Sequence, residues 1–197
     1  MLDIPLGALS EAFERVLLVD VVHLRWARRI AARYPNVVLI ADDMTGLAAD
    51  LPRRIAEGWT GDPVPAPSLL QDDETVDLVI SANVAAQLPV IPAAALRRAG
   101  VGDAAVRVFC RDVVLAHLSY LAGFGAAVCL ITERGRETCD RDGGVLRIED
   151  ALFGVSLPDE GHTWLWDLAP VGEVSSRYSI RNQVWGYAVF PGRPADC

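Results

Sequence analysis

Apolar positions recur along the chain with two different periods. Leu6, Leu9 and Phe13 fall three and four apart, which predicts a short amphipathic helix after Pro5. Val16-Leu17-Leu18-Val19-Asp20 follows as an unbroken apolar run closed by an acid. Runs without alternation belong to parallel strands covered on both faces. Leu24, Ala27, Ile30, Ala31 and Tyr34 mark the next helix, stopped by Pro35-Asn36, and Val37-Val38-Leu39-Ile40 is a second apolar run leading into Asp42 and Asp43. Leu47 to Glu57 suits a helix, and Gly61 to Pro67 is a proline-rich loop. Val76 to Ala82 reads as a third strand, helical material begins near Ala93, and Ala126 to Ile131 reads as a fourth strand. Between them a longer helix carries Val106, Cys110, Val113, Val114, His117, Leu118 and Leu121 on one stripe.

The pattern then changes. Glu133 to Gly144 is polar and glycine-rich, which fits a loop or a solvated hairpin. Thr163 to Leu168 and Gln183 to Phe190 are rich in aromatic and β-branched residues and predict two late strands. Alternating strands and helices ending in a strand pair predict an α/β fold: a doubly wound, mostly parallel sheet with an antiparallel C-terminal strand pair. No repeat or linker divides the chain, so residues 1–197 are expected to form a single domain.

Composition narrows the chemistry. The 197 residues carry 18 basic and 26 acidic side chains, a formal charge of −8, and every basic residue is arginine. The absence of lysine removes Schiff-base, P-loop and Ser–Lys chemistry. Net acidity without a basic run argues against nucleic acid or an anionic membrane as the main partner. Cys110, Cys129, Cys139 and Cys197 form no CxxC pair, and His23, His117 and His162 sit in no ligand cluster, so reduced cytoplasmic thiols are expected rather than disulfides or a metal centre. The N-terminus has no signal-peptide pattern. Val113 to Thr132 is hydrophobic, but Gly123-Phe124-Gly125 splits it into helix, turn and strand, which argues against a membrane span.

Three of the apolar runs end in polar groups: Asp20, Asp43, and Ser81 with Asn83. In an open α/β sheet the ligand crevice lies beyond the carboxyl ends of the strands. An acid there can accept both hydroxyl protons of a ribose, and one on the adjacent strand can accept from an adenine amine. The ordered set points to an adenosine-containing ligand. On these residues the chain resembles the class I S-adenosylmethionine-dependent methyltransferases, from the N-terminus to about Glu133 and again over the late strand pair. Val16-Leu-Leu-Val-Asp20 resembles the family's second strand, and Asn36 to Met44 its third. Asp77 to Asn83 resembles its fourth. The resemblance implies S-adenosylmethionine as cofactor, with Asp20 on the ribose, Asp43 on the adenine amine and Met44 on the ring. Ser81 and Asn83 would line the methionine and substrate end. The methyl acceptor, a small molecule or a protein, is not indicated, because the fourth strand lacks the Asn/Asp-Pro-Pro-aromatic signature of amino-group methyltransferases.

The chain also departs from that family. Its first strand and glycine-rich loop would stand before the helix at Leu6 to Phe13, where this sequence has only Met1 to Pro5. That strand lies centrally, between the second and fourth. Without it two strand edges would be exposed, each buried unpaired backbone group costing about 1–3 kcal/mol against a typical domain stability of about 5–15 kcal/mol. The expectation is that Met1 to Pro5 is the tail of the glycine loop, that an apolar strand with GxG lies upstream in frame, and that an unpaired edge favours association, as in a homo-oligomer.

Each candidate also has a plainer reading. Asp20 can cap the turn that follows it, Asp42 can take the role given to Asp43, and Ser81 and Asn83 can be loop-entry polar groups. His117 reads as a core histidine on the apolar stripe, and Trp164, Trp166 and Trp185 as packing for the late strands, with Trp164 alternatively lining a substrate pocket. Three functional expectations follow: a methyltransferase, a non-catalytic methyltransferase-like binding domain, and a nicotinamide-dependent oxidoreductase. The late antiparallel pair argues against the third.

Overall fold

A computed structural model of the protein describes residues 4–191. Cys197 and Met1 to Asp3, assigned above to a reduced thiol and to the end of a glycine loop, lie outside the described residues. In chain order the elements are α1 (Leu6–Ala12), β1 (Val16–Asp20), α2 (Arg25–Ala31), β2 (Val37–Ala41), α3 (Leu51–Ala56), β3 (Leu78–Ala82), α4 (Val90–Arg98), α5 (Asp103–Ala122), β4 (Ala127–Cys139), β5 (Val145–Asp150), β6 (His162–Ala169) and β7 (Ser179–Tyr187).

The α/β class agrees with the apolar pattern, but the sheet arrangement differs from the one expected. The strands form two sheets: β1 pairs with β2, and a second sheet runs β3-β4-β7-β6, with β5 added to β4. Only β1–β2 and β3–β4 are parallel, while β4–β5, β4–β7 and β6–β7 are antiparallel, so the sheet is mixed rather than mostly parallel. The cause lies in β4. Instead of ending near Ile131 it runs on through the polar segment to Cys139, and Asp140 to Gly144 turns it into the exposed strand β5.

That extension survives because its inward polar groups are paired. Glu137 accepts hydrogen bonds from Arg181 Nε (2.5 Å) and Gln183 Nε2 (2.6 Å) on β7. Asn182, fully buried, lies 3.4 Å from both Glu133 Oε1 and Arg136 Nε. Such pairing offsets the cost of removing polar groups from water. A bulge between Glu133 and Gly135 adjusts the register against β7.

The predicted stripe of α5 is buried along its whole length, from Val106 to Leu121. Its C-terminal half packs with Val128 and Leu130 of β4, Leu152 and Tyr187. Its N-terminal half, with Phe109 and Val113, meets Leu47 and Leu96 of α4. The β1–β2 pair lies outside both clusters, and its strands are only half-buried, with Val38 45 % exposed. The expectation of strands covered on both faces therefore fails there. Among the described residues no helix is long and apolar enough to cross a membrane.

Candidate functional site

A cavity of about 1090 Å³ lies between β1 and β3. Strand residues Leu17, Leu18, Val19, Leu78, Val79 and Ile80 form its walls. Asp20 and His23 stand at the carboxyl end of β1, and Ala82 and Val84 at the corresponding end of β3. Trp26 from α2 and Tyr120 from α5 add apolar surface.

Asp20 ends β1 and is exposed at this cavity. Its Oδ1 accepts a single, long hydrogen bond (3.3 Å) from the Val22 amide, which leaves most of the carboxylate's acceptor capacity open. The adjoining residue of the second strand is tied to it: the Asp42 amide donates to the Asp20 carbonyl (3.2 Å). His23 closes the same end, with Nε2 2.8 Å from the Ile40 carbonyl oxygen. Two acids thus stand side by side at the carboxyl ends of β1 and β2.

Asp43 is used differently. Its carboxylate accepts from the Thr45 amide (3.0 Å) and hydroxyl (2.7 Å), the Leu47 amide (2.7 Å) and the Ala48 amide (2.6 Å). Burial pushes this carboxyl up, but the Ala48, Thr45 and Leu47 donors together outweigh it and hold it below the ordinary carboxylate range. With its acceptor sites taken, Asp43 organises the loop after β2 rather than presenting an oxygen to a ligand. Met44 packs against the main hydrophobic cluster.

Ser81 and Asn83 are buried too. Ser81 Oγ lies 2.9 Å from His117 Nε2. Asn83 has φ of 57° at the strand end, its amide donates to the Ile131 carbonyl (2.8 Å), and its Oδ1 is buried with no partner. Of the five residues assigned to a cofactor, Asp20 alone lines the cavity; Asp43, Met44, Ser81 and Asn83 do not.

The residue reading overlooked Glu133. It is buried on β4, with Oε1 3.5 Å from Gln87 Nε2 and Oε2 without a partner. Nothing in its local sequence distinguishes it from a solvated loop acid. Trp164 lies on β6, 44 % exposed, against Gly186 of β7, and with Arg134 and Trp185 it lines a shallower depression of about 440 Å³. Comparison with protein-family models, with curated proteins and with solved structures finds no match to this chain.

Proposed function

We propose that the protein is a methyltransferase-like domain that binds S-adenosylmethionine through its adenosine end and uses it on a small-molecule or protein acceptor. The observation that carries this reading is Asp20, an exposed carboxylate with open acceptor sites at the carboxyl end of β1, lining the cavity between β1 and β3. Asp20 would take the ribose hydroxyls. Asp42, beside it at the end of β2, takes over the adenine amine from the fully engaged Asp43. A carboxylate accepting hydroxyl protons makes charge-assisted bonds, the stronger kind. The cytoplasm is the setting assigned to the protein, from the irregular cysteine spacing of the sequence.

The fit covers the adenosine end. At the methionine end, Ser81 is held by His117. That bond favours, as a second reading, a non-catalytic domain of the same type that holds the adenosine end or a partner.

Isothermal titration of S-adenosylmethionine and of adenosine, into the 197-residue chain and into a chain extended by the residues its reading frame encodes upstream, separates these readings. Binding of the cofactor by the extended chain, much tighter than of adenosine, supports the methyltransferase. Equal binding of both ligands supports the adenosine-binding domain. Binding of neither by either chain overturns the cofactor reading.

A further inference from the structure

The cavity between β1 and β3 has walls of an unusual kind: both are strand edges. In a strand, alternate residues direct their backbone N–H and C=O groups to opposite sides. On β1 the Val16 amide donates to the Asn36 carbonyl, and the Asp20 carbonyl accepts from the Asp42 amide, so Val16, Leu18 and Asp20 face β2. The backbone groups of Leu17 and Val19 therefore point the other way, into the cleft. On β3 the Asn83 amide donates to the Ile131 carbonyl, which places Val79 and Ser81 on the β4 side. Leu78, Ile80 and Ala82 then point their backbone groups into the cleft from the opposite wall. β1 and β3 are not paired with each other.

The side chains agree with the backbone. The runs Val16–Val19 and Leu78–Ile80 are as apolar as strands in a covered sheet, yet nearly all of these residues are only half-buried. Val22 and Leu24, both more than half exposed, and Trp26, 40 % exposed, line the same cleft, as do Phe13 and Phe124. Apolar surface of this extent next to unpaired backbone donors and acceptors is an open β-augmentation site.

We propose that this cleft is the seat of one further β-strand, apolar, running parallel to β1 and β3, and joined in cis ahead of α1. The wall length sets the occupant: β1 and β3 each have five residues, a span of about 17 Å. The connection sets its source. Ile4, immediately before Pro5 and α1, itself lines the cleft, and α1 leads through Phe13–Arg15 into β1 on its wall. A strand there would enter α1 and then β1 just as β1 enters α2 and then β2, forming a second parallel strand–helix–strand unit. It would join the two sheets into one. The inference stands on the two strand edges and not on the cofactor reading.

Hydrogen–deuterium exchange on the 197-residue chain and on the chain extended by its upstream-encoded residues tests this. The expected result is exchange at least 100-fold slower at the amides of Leu17, Val19, Leu78 and Ile80 in the extended chain, with Leu18 and Val79 protected in both. Equal, fast exchange of the four amides in both chains overturns the proposal, as does a stop codon directly ahead of Met1. Protection of the four in the 197-residue chain that grows with protein concentration overturns it also, by assigning the cleft to a second copy. Protection by the extension without cofactor binding would leave the strand in place and remove only the methyltransferase reading.

Discussion

Ser81 Oγ and His117 Nε2 lie 2.9 Å apart, both side chains buried, one at the inner edge of β3 and the other on the core stripe of α5. The bond ties the strand to the helix that covers it, and it uses the hydroxyl that was expected to reach a ligand. His117 Nδ1 has no partner, and the Tyr120 ring lies 6.1 Å away. Burial lowers the His117 pKa from 6.5 to about 4, so the imidazole is neutral at pH 7.

Stability should therefore fall on mild acidification. Between about pH 4 and 6.5 the unfolded chain binds the His117 proton and the folded chain does not. The stability is complete above pH 6.5 and is lost as pH falls toward 4, about 3 kcal/mol over the interval. Asp43 and Glu137, whose pKa values are lowered, add their losses further down, below their ordinary carboxylate pKa values. Urea unfolding from pH 7.5 to 4.5 measures the slope. His117→Gln keeps a hydrogen-bonding partner for Ser81 without a titrating ring and should flatten it; an unchanged slope would assign the acid sensitivity elsewhere.

Asp43 and Asp42 should separate stability from binding. Asp43→Ala leaves the Thr45 amide, in a buried residue, without its acceptor and the Leu47 amide with only the Thr45 hydroxyl at 3.2 Å, and should cost about 1–3 kcal/mol by urea unfolding at pH 7. Asp42 makes one side-chain bond, to the next amide, so Asp42→Asn should leave the unfolding midpoint within error and weaken adenosine binding. A stable Asp43→Ala protein with lost binding would return the adenine role to Asp43.

How much of this was legible in the sequence varies along the chain. The runs at Val16, Val37 and Leu78 are strands, and the α5 stripe is buried residue for residue, because burial leaves a periodic signature. The partners of those strands leave none: an apolar run does not say which edge it meets, so one sheet was expected where two are found. The second half of β4 was hidden because Glu133 and Glu137 are buried by pairing with side chains about 45 residues away. The role of Asp43 did have a local signal. Asp-x-Thr places a hydroxyl and an amide where an aspartate can accept both, and Asp73-Glu74-Thr75 repeats the arrangement at 2.6 and 3.0 Å.

Two glycines with positive φ should respond differently to alanine. At Gly61 (φ +117°) a Cβ would stand 3.0 Å from Phe109 Cβ, in the packed cluster under α5, whereas at Gly58 (φ +91°) it would meet nothing within 4 Å. Both substitutions strain the backbone. Gly61→Ala adds overpacking, typically about 1–3 kcal/mol, and should have the lower melting temperature of the two. Equal losses would mean that Phe109 can move aside.

Asp20→Asn tests the site itself. The exposed carboxylate makes only one weak hydrogen bond, to the Val22 amide, which an asparagine oxygen can still accept. The melting temperature should stay within a degree or two of the wild type. Replacing a charged acceptor of ribose hydroxyls by a neutral amide removes charge assistance worth about 1.5–3 kcal/mol. Adenosine affinity by titration should therefore fall by about 10- to 100-fold. The 2′-deoxy nucleoside provides the control: it forfeits the same bond, so it should bind wild type more weakly than adenosine does, and Asp20→Asn should narrow the difference between the two ligands. A full-strength preference for adenosine over its deoxy form in Asp20→Asn would show that the ribose is held elsewhere, and would leave Asp20 as the cap of the turn after β1.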